Sequence, residues 1–540
     1  RARHQPLMTN THGLRSGRDT VDRPDLFSRA ARHEHRIALV APEGIFTYRD
    51  LLDTSEIVAR RLLFLCSTED LEEAPIAFLV PSGFEYVAIQ WGIWRAGGLA
   101  LPLAMSHPPP EFVRVIEDSA PIAVVAHPSL MERVPRVVHR KLHLLDSSVL
   151  VRKRPGEPSA VSPLPTLDPE RRALMIYTSG TTGQPKGVVT THGNLEAQIT
   201  SLVEAWEWIS DDHILLVLPL HHLHGIMNVL ACALWSGGCC QILPRFDAIE
   251  TWERFAQADL TLFMAVPTIY SQLIKVWDEA EETDRARWSE GARSMRLMVS
   301  GSAALPVQIL ERWRQVTGHE LLERYGMTEI GMALANPLHG ERRPGHVGYP
   351  LPGVKIRRVD EQGEVLEDPL SPGELEVRGL NVFSEYWGNP EASIAAFRDG
   401  WFRTGDVAVV ADGHYRLLGR TSVDIIKTGG YKVSALEIEE EIRQNPDVRD
   451  CAVVGIPDLE WGERVSVALT GHSDGSLNPE DVLGWVRNRL APYKVPRDAL
   501  VLEDLPRNSM GKVQKGKVKL LFERSAVVEG EDEERESGEK

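Results

Sequence analysis

Residues 173–187 read Ala-Leu-Met-Ile-Tyr-Thr-Ser-Gly-Thr-Thr-Gly-Gln-Pro-Lys-Gly. The apolar start, Ala173–Ile176, predicts a short buried strand, and the rest predicts a loop leaving it. Gly180 and Gly183 let main-chain N–H groups approach an anion closely. Thr178, Ser179, Thr181 and Thr182 add hydroxyl donors, and Lys186 adds charge. Together they form a phosphate cradle. The spacing is not that of a G-x-x-x-x-G-K-[ST] loop, which disfavours an ordinary kinase or GTPase. A purely structural Gly/Thr turn is the bland alternative, and the density of donors argues against it.

Outward from this loop the chain alternates short apolar runs with helical stretches. Pro75–Val80 precedes the helical Phe84–Trp94, and Ile122–Ala126 precedes the helical Leu130–His139. Ile214–Leu218, Thr261–Ala265 and Arg296–Ser300 repeat the rhythm. The pattern predicts α/β layers with largely parallel sheets. Residues 151–168 are Pro- and Ser-rich and read as a surface connection. From Thr421 to about Arg524 the pattern changes to a smaller α+β unit. We therefore expect a large domain over 21–419, a small one over 420–525, and tails at 1–20 and 526–540. The first tail carries Arg1, Arg3, Arg15 and Arg18 and no acid before residue 19, so it reads as a transit-peptide remnant or a disordered tail. A mitochondrial matrix location follows from the former, a cytosolic one from the latter. The last tail is acidic and solvated.

Composition narrows the function. Over 540 residues, 43% hydrophobic and 25% charged usage is that of a globular chain. A net charge of −17 speaks against phosphate-backbone binding, which needs a cationic footprint, so no nucleic-acid partner is expected. The five cysteines lack C-x-x-C spacing and read as free, mostly buried thiols. No apolar run is long enough for a membrane span, and no obligate protein partner is evident.

Further motifs follow the loop in order: Leu218-Pro219-Leu220-His221-His222, Val299-Ser300-Gly301-Ser302-Ala303, Tyr325-Gly326-Met327-Thr328-Glu329 and Gly400-Trp401-Phe402-Arg403-Thr404-Gly405-Asp406. Gly419-Arg420, Gly429-Gly430-Tyr431-Lys432 and Pro506-Arg507-Asn508-Ser509-Met510-Gly511-Lys512 complete the series. The set resembles the adenylate-forming superfamily of acyl-CoA synthetases, adenylation domains and luciferases over about residues 25–520. The resemblance implies that family's fold, with a large layered α/β domain and a small, mobile α+β domain. It also implies an AMP-forming acid–thiol ligase, with ATP and CoA as substrates and Mg²⁺ as cofactor.

The resemblance assigns roles residue by residue. The cradle residues, Thr328, Asp406 and Arg420 contact the nucleotide, with Asp406 accepting from the ribose hydroxyls. Gly301, Ser302, Ala303 and Tyr325 pack its adenine, and Glu329 holds Mg²⁺. Lys512 swings in to bridge the carboxylate and α-phosphate, while Gly430 and Lys432 contact the CoA chain. His222 sits near the acyl carboxylate, with His221 and His224 lining or packing the pocket. One residue more than the usual spacing separates Arg420 from Gly430, and Ser422 stands where relatives often carry Asp or Lys.

For the acyl group, a small diacid needs a cation at its far end, and Arg recognises carboxylates in bidentate fashion. Arg324 lies beside the adenylation motif, with Arg342 and Arg343 downstream. Residues 323–332, 336–345, 419–439 and Val266–Tyr270 closely resemble malonyl-CoA synthetases, including the mitochondrial animal type. The implied reaction is ATP + malonate (or methylmalonate) + CoA to malonyl-CoA, AMP and diphosphate. A short- or medium-chain monocarboxylate ligase and a catalytically silent nucleotide-binding relative are the alternatives.

Overall fold

The computed structural model describes residues 26–135, 142–153, 163–178, 185–421, 423–472, 477–508, 511–522 and 524. Strand Arg172–Thr178 turns back on Lys186–Thr191 as an antiparallel hairpin, with Thr178 opposite Lys186. The Gly/Thr loop therefore closes a hairpin whose two ends hold Thr178 and Lys186 together. Beyond it a seven-stranded sheet continues through Leu99–Pro102, Pro75–Leu79, Ala123–Ala126 and His143–Asp146, all parallel. Pro75–Leu79, Leu99–Pro102 and Ala123–Ala126 are buried at every position, as strands covered on both faces must be.

A nine-stranded sheet packs beside it. Its parallel centre contains Leu322–Met327, Leu297–Ser300, Leu262–Ala265, His213–Leu216 and Cys239–Ile242. One apolar core joins residues of both sheets and of the helices between them. Helix starts are specified locally. Thr47 and Asp50 form a reciprocal capping box ahead of Tyr48–Leu65, and Thr191 and Asn194 form another ahead of His192–Ala205. The apolar run after Leu223 is not a regular α-helix but a π-helix, His224–Ala231, continued by Cys232–Ser236. π-Helical segments concentrate at functional sites, and this one carries His224.

A five-stranded antiparallel sheet includes Trp401–Ala411 and His414–Arg420. After Arg420 a separate mixed sheet forms from Ile425–Thr428, Tyr431–Ser434, Val448–Asp458 and Gly462–Gly471, with Asp498–Val501 parallel to the last. Helices Ala435–Ile442 and Pro479–Arg487 cover it, and it has an apolar core of its own.

Two local expectations are corrected. The helix expected over Leu130–His139 is a short 3₁₀ turn, Pro128–Arg133; Val134 is extended because Pro135 follows it, and 136–139 lie outside the described residues. Asp406, expected just after a strand on the strength of the aromatic residues Trp401 and Phe402, lies within strand Trp401–Ala411. Among the described residues no helix is long and apolar enough to cross a membrane. Both tails, the segment 154–162 and Ser422 fall outside the described residues.

Candidate active site

The nucleotide side is built on strand pairing. Asp406 and Arg420 are register partners in adjacent antiparallel strands, and Arg420 Nε donates to Asp406 Oδ1 at 3.0 Å. From the end of strand Leu322–Met327, the Tyr325 hydroxyl donates to Asp406 Oδ2 at 2.6 Å. Both carboxylate oxygens are thereby aimed by the protein, and the group is buried. Burial works against the Arg420 charge, but Asp406 outweighs it and raises the pKa. Thr328 and Glu329 follow in the turn before strand Gly331–Ala335. Glu329 is buried, which raises its pKa. It accepts from the Tyr386 hydroxyl at 3.0 Å, and Lys186 Nζ lies 4.8 Å from the Tyr386 ring centre. Thr328 lines a pocket with Met227, Gln198 and Asn381, so this turn faces the π-helix. Ser179, Gly180, Thr181, Thr182 and Gly183 lie outside the described residues; Thr178 and Lys186 flank them.

The acyl side centres on Arg324, which is 2% exposed. Its one hydrogen bond among the described residues runs from Nη2 to Ser302 Oγ at 3.3 Å, and Nε has no partner. No carboxylate pairs with it there. Burial lowers its pKa to about 9, so the guanidinium keeps its proton at neutral pH. Gly301 makes room for it, since a Cβ there would stand 2.5 Å from Nε. Ser302, at φ 71°, holds the strained left-handed conformation that turns its hydroxyl toward this row. Ser302 Oγ also lies 3.2 Å from His224 Nδ1, leaving His224 Nε2 buried and unpartnered. Burial lowers the His224 pKa well below its ordinary value, with Arg324 adding to the effect. Burial likewise brings His222 to about 4 and His221 to about 3. At neutral pH all three rings are uncharged, so Arg324 carries the positive charge of this wall.

The C-terminal unit brings Lys512 toward Asp406 and Arg420, on the nucleotide side. A Cβ placed on Gly511 would lie 3.1 Å from the Thr268 side chain, which seats the Pro506–Lys512 loop on helix Pro267–Glu279. Lys512 is accessible to solvent, yet crowding by protein and the nearby Arg420 lower its pKa, with Asp424 and Asp406 opposing. Its ammonium makes no ion pair among the described residues. Lys515 differs: its Nζ is 2.6 Å from Asp424 and 2.7 Å from Glu439.

Not every expected residue converges. Arg342 does not join Arg324. Its guanidinium donates to the main-chain carbonyls of Pro337, Glu320 and Leu338, at the start of strand Leu322–Met327 rather than its end. It ties down a loop, and a distal-carboxylate role for it is withdrawn. Arg343 pairs at the surface with Glu341 and Asp412. Lys432 sits on the hairpin after Gly430, 2.6 Å from Glu361 of the large domain, so the pair expected at CoA is apart from the Arg324 row in this arrangement. Ala303 is exposed, with Ser302 turned toward the acyl side. Sequence reading missed Tyr386 and gave His224 no role beyond lining or packing the pocket. No spacing marks Tyr386, whereas His224 stands two residues after His222 at the head of an otherwise mostly apolar segment.

Residues 26–387 match the AMP-binding enzyme family, and 437–512 match the AMP-binding enzyme C-terminal domain. The chain belongs to this family of adenylate-forming enzymes and is an AMP-forming acyl-CoA ligase. It is similar to the malonate–CoA ligase ACSF3, mitochondrial, of Mus musculus, at 45% identity over 91% of this chain and 89% of the relative. The malonate–CoA ligase of Arabidopsis thaliana is 37% identical over 92% of this chain and 88% of its own length. Among solved structures, ATP-bound MatB from Rhodopseudomonas palustris superposes with a TM-score of 0.84 at 32% identity, covering 92% of this chain and 99% of MatB.

Proposed function

We propose that the protein is a malonate–CoA ligase acting through malonyl-adenylate, with methylmalonate as an allied substrate. The observation that carries this reading is the buried, carboxylate-free guanidinium of Arg324 beside the adenylation motif. A buried cation without a counter-charge is costly, and a dianionic substrate whose far carboxylate meets it offsets that cost. Neutral His224 supplies an additional N–H: Arg324 donates to Ser302, Ser302 donates to His224 Nδ1, and the buried Nε2–H is left without a partner as a spare donor. A monocarboxylate ligase has no use for this row. A silent relative has none for Thr328, Glu329, Asp406, Arg420 and Lys512 together.

In the first step one carboxylate oxygen of malonate attacks the α-phosphorus of ATP, and diphosphate leaves. Both partners are anionic, so oriented positive charge is the main requirement. Lys512 is assigned to bridge the two, with Thr328 donating to the α-phosphate and Lys186 to the outer phosphates. Asp406 accepts from the ribose hydroxyls. Glu329 has a carboxylate suited to Mg²⁺. Among the described residues no group of three or more acids, His or Cys is arranged to hold a metal ion, so phosphate and water oxygens would complete its shell. When bound, the ion neutralises charge on the departing diphosphate. In the second step the CoA thiol, losing its proton, attacks the acyl carbonyl and AMP leaves. Gly430 and Lys432 are assigned to that step, after the small domain turns. The division into 21–419 and 420–525 belongs to the same proposal, as does a mitochondrial matrix location, with cytosol the alternative.

The test is a panel of malonate, methylmalonate, succinate, acetate and butyrate at equal concentration, read as AMP release with CoA present. Malonate should lead in kcat/KM. A monocarboxylate in first place would overturn the diacid reading.

A further inference from the structure

We infer that Glu440 is a positioning residue for adenylation: it supplies, from the small domain, the missing cap of a large-domain helix, and so seats Lys512 over the substrate. This rests on the reading that the small domain alternates between two orientations. Helix Val307–Thr317 begins after Pro306, which makes no side-chain cap hydrogen bond. The first N–H groups of a helix need acceptors, and a helix this long gains from a negative group at that end. The acceptor here is distant in sequence. Glu440 Oε1 receives the Val307 N–H at 3.2 Å, and Gln308 Nε2 beside it donates to the Arg443 carbonyl.

The acidic helix Ala435–Ile442 shows how selective this contact is. Glu437 pairs with Lys494 at 2.7 Å, Glu439 with Lys515 at 2.7 Å, and Glu441 with Arg489 at 3.1 Å, all inside the small domain. Glu440 alone among these four points into the large domain. The contact exists in the arrangement that also places Gly511 against Thr268 and Lys512 near Asp406 and Arg420. Any rotation that carries Lys512 away parts Glu440 from Val307. The cap therefore favours one orientation and is absent from the other, which is what a ligand must do to shift a two-state balance.

Two half-reactions separate this role from a general structural one. Adenylation is read as diphosphate release without CoA in a single turnover. Thiolation is read as thioester formation from supplied malonyl-adenylate and CoA. Glu440→Ala should slow adenylation by about 3- to 10-fold, the range a lost helix cap implies for an equilibrium, and should leave thiolation unchanged or faster. Glu440→Gln keeps an acceptor of the same reach and should recover part of the loss. Val307→Pro deletes the donor from the large-domain side at a position where helices accept proline. It should give the same split, and it serves if Glu440→Ala does not fold. Glu441→Ala, which loses only a pairing within the small domain, should leave the ratio of the two rates where it was. Equal slowing of both half-reactions by Glu440→Ala or Val307→Pro, or no change in either, overturns the inference. If Lys512→Ala slows both half-reactions equally, the alternation reading has failed instead.

Discussion

Arg324 and Arg342 lie on one stretch of chain and look alike in sequence, but Arg324 stands within the strand Leu322–Met327 while Arg342 reaches the chain just before its start. Arg342 spends its donors on the carbonyls of Pro337, Glu320 and Leu338. Arg324 is more deeply buried and has Ser302 alone. Lys515 and Lys512 repeat the contrast in the small domain: one is clamped between Asp424 and Glu439, and the other ends in an open site without an ion pair among the described residues. A cation whose donors are committed holds structure together. A cation brought to a pocket with donors to spare is there for a ligand.

The contrast breaks most visibly at Lys515. Removing one partner of a buried ionic group strands the other charges, which costs about 3–5 kcal/mol. Lys515→Ala should therefore lower the first calorimetric melting transition. An unchanged transition would remove Lys515 from the committed class. Lys512→Ala tests the other side. It should cut adenylation by ~10²–10³, the usual loss of one preorganised charge contact, while sparing thiolation and melting temperature.

Arg324→Leu comes next. We expect kcat/KM for malonate to fall by at least ~10²-fold, with butyrate spared or improved, because Leu keeps volume and removes charge. Parallel loss of both activities would make Arg324 scaffolding for the Tyr325–Glu329 loop. The smallest effect belongs to Arg342→Ala. It leaves buried carbonyls short of donors, a loss of about 1–3 kcal/mol in stability. The malonate-to-butyrate ratio should stay put, and a shift in it would return Arg342 to the site.

Much of this was legible in advance, for physical reasons. The buried parallel strands announce themselves because both faces are covered, so Leu297–Ser300 and Leu262–Ala265 read as continuous apolar runs. The adenylation motifs carry residue types that phosphate chemistry demands. What stayed hidden depends on tertiary geometry. Arg342 finds three carbonyls and Arg324 a single hydroxyl, and no local pattern encodes that. The role of Tyr386 comes from the short strand Glu385–Tyr386, which pairs with Lys186–Thr191 and brings the hydroxyl to Glu329. The helix expected past Leu130 ended because Pro135 constrains Val134, a local signal that was available and outweighed by hydrophobic spacing.

The bare guanidinium of Arg324 also bears on how long the enzyme lasts. A desolvated charge without a counter-charge lowers the stability of the folded chain until a dianion arrives, so the features that select the substrate work against the resting protein. Anything that binds only the folded state raises its stability by mass action. Malonate should thus lift the melting temperature more than butyrate does at equal concentration, and Arg324→Leu should erase that difference while raising the ligand-free value. Where unfolded chains are continuously removed by proteases, the abundance of this enzyme would follow the supply of its own diacid.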